Sequence, residues 1–166
     1  MANSRRFGIS GSTLKIIAIV TMLIDHTAAT FVSALTRQPY IVSSPETLTF
    51  LRQLYSLMRD IGRIAFPIFC FLLVEGFLHT RNVRKYAQRL FLFALISEIP
   101  FDFALKPSWF YPDKQNVYFT LLMGLLVLWG IQACRVMIWI QIPIMASGML
   151  AAAFLQTDYG YRGVFL

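Results

Sequence analysis

The sequence predicts an all-α fold, a polytopic bundle of transmembrane helices, on three observations. Of its 166 residues, 57% are hydrophobic and only 14% are charged, whereas a soluble domain carries about a quarter of charged residues. Mean hydropathy is +0.62. Apolar runs recur at close to the length of about 20 residues that a bilayer demands. The chain has room for one such bundle, so residues 1–166 read as a single transmembrane domain.

The opening segment 1–13 is short and polar, carries Arg5 and Arg6, and reads as a cytoplasmic lead-in. The apolar run after it is too long for a signal-peptide core and has no A-x-A site near its end. Residues 14–35 (LKIIAIVTMLIDHTAATFVSAL) are therefore the first span. Residues 36–60, with Pro39, Ser43, Ser44, Pro45 and Glu46, read as an extracytoplasmic loop. Within it, Ser43 or Ser44 begins a short interfacial helix, because TLTFLRQLYSLMRD repeats its apolar residues at helical spacing.

Residues 61–78 form the second span, and a short basic link, HTRNVRK, leads to the third at 86–105. The loop KPSWFYPDKQ has the prolines and aromatics that membrane interfaces favour. Spans four and five are placed at 116–133 and 136–155. The final GVFL reads as the first turn of a truncated sixth helix. Pro67, Pro100 and Pro143 are expected to bend helices where neighbours satisfy the freed carbonyls.

The net charge of +7 sits in Lys and Arg that flank apolar runs rather than in a basic stripe. This excludes a nucleic-acid partner and fits the bias of basic residues toward the cytoplasmic face. The cluster Arg81, Arg84, Lys85, Arg89 in a very short link places the N-terminus inside. Cys70 and Cys134 are far apart and read as small hydrophobes, with no disulfide framework and no metal site. Phosphate-binding glycine loops, nucleophile elbows and HExxH are absent. Any chemistry must come from side chains inside the membrane.

Such side chains are present. Asp25, Glu75, Glu98 and Asp102 fall inside spans, with His26 and Arg63. Each costs about 2.5–3.5 kcal/mol at mid-membrane unless paired or wet. His26 lies about 18 Å along the helix from Leu14, and Glu98 about as far from Tyr86. Glu98 and Asp102 are four apart and share a helix face, as do Glu75 and His79. Asp25 and His26 point about 100° apart, so one faces a reaction centre and the other anchors a neighbouring helix. Arg63 with Asp102 reads equally as a buried ion pair, and Glu75 as a salt bridge to Arg89.

The block LKIIAIVTMLIDHTA, followed in order by RIAFPIFCFLLVEGF, RLFLFALISEIPFD, NVYFTLLMGL and DYGYRG, resembles the TraX family. The resemblance covers most of the chain, from Leu14 to Gly163. It implies a multi-pass bacterial protein of the inner membrane, similar to transmembrane acyltransferases that draw acetyl from cytosolic acetyl-CoA. The implied acceptor is a pilin-like peptide amine or a sugar hydroxyl. It places the catalytic base at His26, supported by Asp25 and Glu98. It also gives functional weight, in substrate binding, to Arg63, Glu75, Asp102, Asn116 and Asp158, and no metal is implied.

The residues suit that chemistry. A neutral imidazole deprotonates an attacking amine or hydroxyl, and Glu98 or Asp25 orients the ring. Asn116, Tyr118 or Arg63 donates to the oxyanion. Arg81, Arg84, Lys85 and Arg89 hold the phosphates of coenzyme A at the cytoplasmic mouth. Two other readings stay open. Intramembrane carboxylates with a histidine also serve a proton-coupled transporter or channel component. In a structural subunit of a pilus or secretion assembly they only lock helices together.

Overall fold

A computed structural model describes residues 10–42, 44–105, 115–134 and 137–166, apart from the side chains of 103–105. Residues 1–9 of the lead-in, Ser43, the aromatic-rich loop at 106–114 and Arg135 lie outside the described residues. The described chain is all-α, with turns and an isolated bridge but no strand. Its contacts divide it into two compact units, Met1–Leu72 and Leu73–Leu166, where the sequence alone reads as one domain.

In the first unit, Ser10 starts α1 (Gly11–Thr27). Its Oγ accepts the Thr13 amide at 3.1 Å, satisfying one of the donors left over at a helix start. α1 runs on through a π-helical segment (Ala28–Val32) into α2 (Ser33–Thr36). The continuous helix Gly11–Thr36 has 26 residues, about 39 Å at the α-helical rise and enough to cross a bilayer. Threonines hide their hydroxyls along it by donating back one turn: Thr21 to the Ile17 carbonyl at 2.9 Å, Thr27 to Leu23 at 2.8 Å, Thr30 to His26 at 2.7 Å.

Ser44 then caps α3 (Pro45–Gly62), its Oγ accepting the Thr47 amide at 3.2 Å, with Pro45 in the first turn where its missing N–H costs nothing. The short interfacial helix expected here has 18 residues. It lies antiparallel to the first helix: Arg59 and Gly62 meet Asp25, whereas Arg52 and Tyr55 share a cavity with Ser33, Thr36 and Arg37. Numbers that fall on one helix as they rise on the other can arise only from antiparallel packing. After a two-residue turn α4 (Ala65–His79) begins. Pro67 is in its first turn, where no bonded amide is lost, so the bend expected there has no cause. Pro45–His79, at 35 residues, is also long and apolar enough to cross a membrane.

The second unit takes over within α4 and continues through α5 (Val83–Leu105), α6 (Val117–Ala133), α7 (Ile138–Phe154) and α8 (Gly160–Phe165). Each of α5, α6 and α7 lies within a few residues of its expected span, and Pro100 and Pro143 are interior to α5 and α7. α6 is the core helix, burying Val117, Leu121, Leu122, Leu125 and Val127. Phe119 on it meets Phe91 edge-to-face at 6.5 Å, and Tyr118 stacks on Phe93 at 6.5 Å. α7 approaches so closely that a Cβ at Gly148 would overlap Val127. The chain reverses after α7 through left-handed Gln156 (φ 50°) and Gly160 (φ 51°). There Gln115 donates its amide to the Gln156 carbonyl at 3.2 Å, a parallel bridge with Thr157 that ties the start of α6 to the end of α7. The turn expected of a sixth helix is α8, six residues long.

The surface completes the case for a helical membrane bundle. Ile16 and Leu23 on α1, Leu92, Ile96 and Ile99 on α5, and Ile138, Trp139, Leu150 and Phe154 on α7 are exposed. In water such continuous apolar faces are a liability, whereas in lipid they are the solvated surface.

Candidate functional site

Of the side chains singled out in the sequence, Asp25 and His26 are neighbours on α1 in the first unit, Glu98, Asp102, Asn116 and Asp158 gather at one end of the second, and Arg63, Glu75 and the basic link at 81–89 stand apart from both. In the first unit, Asp25 forms an ion pair with Arg59 across α1 and α3, Oδ2 to Nη1 at 2.5 Å, with side-chain exposures of 19% and 34%. The contact depends on Gly62. A Cβ there would overlap the Asp25 side chain, so only glycine lets α3 pass this close. Arg59 was not foreseen as the partner. It is 34 residues away in sequence, though it stands on the same α3 face as Gly62.

The His26 ring donates from Nδ1 to the Met22 carbonyl at 2.9 Å. A carbonyl only accepts, so the neutral ring carries its proton on Nδ1 and its lone pair on Nε2. The sequence reading assigned the orienting task to a carboxylate. At Nδ1 a backbone carbonyl of the same helix performs it, a partner that residue types do not reveal. Arg63 corrects another expectation. It pairs with Asp60 at 2.9 Å, one turn away on the surface, and its side chain is 72% exposed, so it is not half of a buried ion pair.

In the second unit Asn116 joins α5 to α6. Its Oδ1 accepts the Tyr118 amide at 2.9 Å as the N-cap of α6. Its Nδ2 donates to the Ala94 carbonyl at 2.8 Å and to Glu98 Oε2 at 2.5 Å, and its own amide donates to the same oxygen at 3.1 Å. The Glu98 carboxylate thus sits at the start of α6, where the helix dipole favours negative charge. Asp102, one turn on, is 1% exposed, and Thr120 is equally buried on α6. Both donors of the Asn116 amide are already in use, so its expected role toward an oxyanion becomes one of positioning Glu98. Tyr118 contributes its amide to the cap and its ring to Phe93. Asp158 is half-buried beside Thr157 in the segment bridged to Gln115, which brings it to the same end of the unit as Asn116.

Arg81, Arg84, Lys85 and Arg89 are all exposed around the first turns of α5, which Asn82 caps through the Lys85 amide at 3.0 Å. Cations at a helix N-terminus oppose its dipole, so the helix itself gains nothing from them. Glu98 is nine residues from Arg89 along α5, about 14 Å, so the basic end and the carboxylate cluster are at opposite ends of that helix. Glu75 is exposed, and among the described residues no ion pair joins it to Arg89. The His79 Nδ1 instead donates to the Glu75 backbone carbonyl at 2.8 Å. Among the described residues no group of three or more His, Cys, Asp or Glu side chains gathers to hold a metal ion.

The family model described as TraX protein matches residues 10–166. A curated relative, the probable fimbrial assembly protein FimC, serogroup H1, of Dichelobacter nodosus, is 34% identical over 164 residues. That alignment covers 95% of this chain and 59% of the relative, so the chain spans well under two thirds of the relative's length. No solved structure matches.

Proposed function

This chain belongs to the TraX family, and on that footing we propose that it is a membrane-embedded acetyltransferase, moving acetyl from cytosolic acetyl-CoA to an amine or hydroxyl acceptor of a fimbrial or pilus-type assembly. The observation that carries the reading is the bond from His26 Nδ1 to the Met22 carbonyl. With its proton held at Nδ1 by the Met22 carbonyl, Nε2 is the basic atom. The acceptor attacks the thioester carbonyl carbon, its proton passes to Nε2, the carbon–sulfur bond breaks, and coenzyme A leaves as the thiol after taking that proton. Asp25 is a positioning residue that fixes α1 against α3 through Arg59, and Glu98 with Asn116 orders α5 against α6. Arg81, Arg84, Lys85 and Arg89 bind the coenzyme A phosphates from the cytoplasm, with the N-terminus inside and the protein in the bacterial inner membrane. Asp102 and Asp158 line the acceptor side, where either a pilin-like amine or a sugar hydroxyl fits the chemistry.

The test is acetyl-CoA binding and turnover by the full chain in detergent. A saturable rise in melting temperature is expected for the wild type and for His26→Ala, and its loss in Arg84→Ala/Arg89→Ala. Transfer to an acceptor peptide, followed by mass spectrometry, is expected to disappear in His26→Ala. Full retention of transfer in that variant refutes the role of His26. A second reading, a structural subunit of such an assembly, draws on the engagement of Asp25 and Glu98 in bonds between helices. It predicts no response to acetyl-CoA.

A further inference from the structure

At the far end of the α1–α3 pair from Asp25, a cavity of about 250 Å³ is lined by Ser33, Thr36, Arg37, Arg52 and Tyr55. The Thr36 hydroxyl already donates to the Ser33 carbonyl at 2.7 Å; the other four side chains can donate to a ligand, and none of the five carries negative charge. On α3, residues 52, 55, 59 and 62 fall on one face at about 100° per residue, the face toward α1 and α2. The two rungs of this face differ. At the lower one Arg59 meets Asp25. Two turns along, Arg52 lines the cavity with Ser33, Thr36 and a second guanidinium, Arg37. Neither Arg37 nor Arg52 forms an ion pair among the described residues. Glu46, near the start of α3, lines a separate cavity with Thr49, Phe50 and Gln53 on the opposite face.

Both guanidinium groups are exposed, so water screens their repulsion only in part, and an anion bound between them removes the remainder. The carbonyl end of α2 supplies partial negative charge, which Arg37 at its C-cap offsets, and this leaves Arg52 without a counter-charge. We propose that this cavity is a binding site for a phosphate group. Two guanidinium forks and the hydroxyls of Ser33 and Tyr55 exceed what the two oxygens of a carboxylate accept and suit the oxygens of phosphate. The volume fits a headgroup-sized ligand. The cavity lies at the end of the helix Gly11–Thr36, and the exposed Tyr40 and Ile41 follow within a few residues of Arg37 in the chain, as aromatic residues do where a span meets the membrane–water interface. A phospholipid headgroup and a soluble phosphate share the chemistry. The site is independent of acetyl transfer, and its fate says nothing of His26.

The experiment uses the full chain in a non-ionic detergent, melted in phosphate-free buffer at constant ionic strength set with chloride. One arm adds inorganic phosphate and the other adds phosphatidylglycerol to the micelles. The wild type is expected to gain melting temperature saturably. A rise with phosphate alone identifies a soluble ligand, and a rise with the lipid alone identifies a headgroup. In Arg37→Gln/Arg52→Gln the dissociation constant is expected to weaken by about tenfold or more, the scale of one lost charge-assisted contact. Lys15→Gln, which removes an exposed cation of α1 outside both this cavity and the basic link, is expected to respond as the wild type. Thr36→Glu places a carboxylate in the cavity, so it is expected to abolish the response even if the arginine variant does not fold. No rise with either probe, or an undiminished rise in Arg37→Gln/Arg52→Gln or Thr36→Glu, overturns the proposal.

Discussion

Replacing Gly62 with alanine tests the contact on which the first unit depends. Elsewhere in a helix the exchange stabilises, by up to about 1 kcal/mol, because alanine loses less backbone entropy. At the last residue of α3 that gain is smaller, since the terminal turn is only partly ordered. Against it stands the overlap of the new Cβ with Asp25. The atoms met include the Asp25 Cβ, which has no rotamer by which to withdraw, so a helix must shift. Overpacking of this kind costs about 1–3 kcal/mol. Displacing the Arg59 pair, which is partly exposed, adds about 1 kcal/mol or less. The sum is a net loss of about 1–3 kcal/mol, opposite in sign to the propensity effect. Thermal unfolding in detergent reads it directly. Gly124→Ala on α6 is the control, because its Cβ would meet only Leu73 Cδ2 at 3.8 Å, and it is expected to melt at or above the wild-type temperature. A Gly62→Ala protein as stable as the wild type refutes the close packing of α3 on α1.

Three further outcomes follow from the same reasoning. Asp25→Ala is expected to destabilise more than the double replacement Asp25→Leu/Arg59→Met, because it strands a half-buried cation; equal losses in an unfolding series would remove the ion pair from the account. Asn116→Asp keeps the capping oxygen but loses both amide donors and sets a carboxylate against Glu98, so a loss of about 2–4 kcal/mol is expected, although Asp and Asn cap equally well in isolation; a neutral result would show that the cap alone matters. Gly148→Ala is expected to cost about 1–3 kcal/mol and to be rescued in part by Val127→Ala, which clears the overlapped methyl; the absence of coupling in the double-mutant cycle would argue against α6–α7 contact there.

The spans were legible because their boundaries are written locally. Ser10, Ser44 and Asn116 cap helices through side chains three or fewer residues from the amides they bind, and the apolar runs have the lengths that lipid sets. The apolar spacing of TLTFLRQLYSLMRD predicts a short interfacial helix, and α3 extends it to 18 residues. Half-buried Arg59 turns toward Asp25, whereas Arg52 lines the phosphate-sized cavity and stays exposed. The candidate residues can be named from the sequence, but their hydrogen-bond partners cannot. Asp25–Arg59 and Glu98–Asn116 join positions far apart in sequence, and the partner of His26 is a backbone atom. Arg63 was misplaced because an exposed pair one turn away outcompetes burial whenever both charges can reach water.

The π-helical segment Ala28–Val32 has a consequence of its own. Its wider turn, in which the Ser33 amide reaches back to the Ala28 carbonyl, holds one residue more than an α-helix of the same rise needs. It lies between Asp25 and Arg37, and it absorbs that extra residue locally. A turn of π-helix and a turn of α-helix each complete one rotation, so deleting one residue there restores plain α-helix and leaves Arg37 oriented much as before relative to Asp25. The same deletion in the α-helical turns on either side has no such slack and rotates everything after it by about 100°. A change of chain length by one residue is therefore tolerated within Ala28–Val32 and not in the turns that flank it.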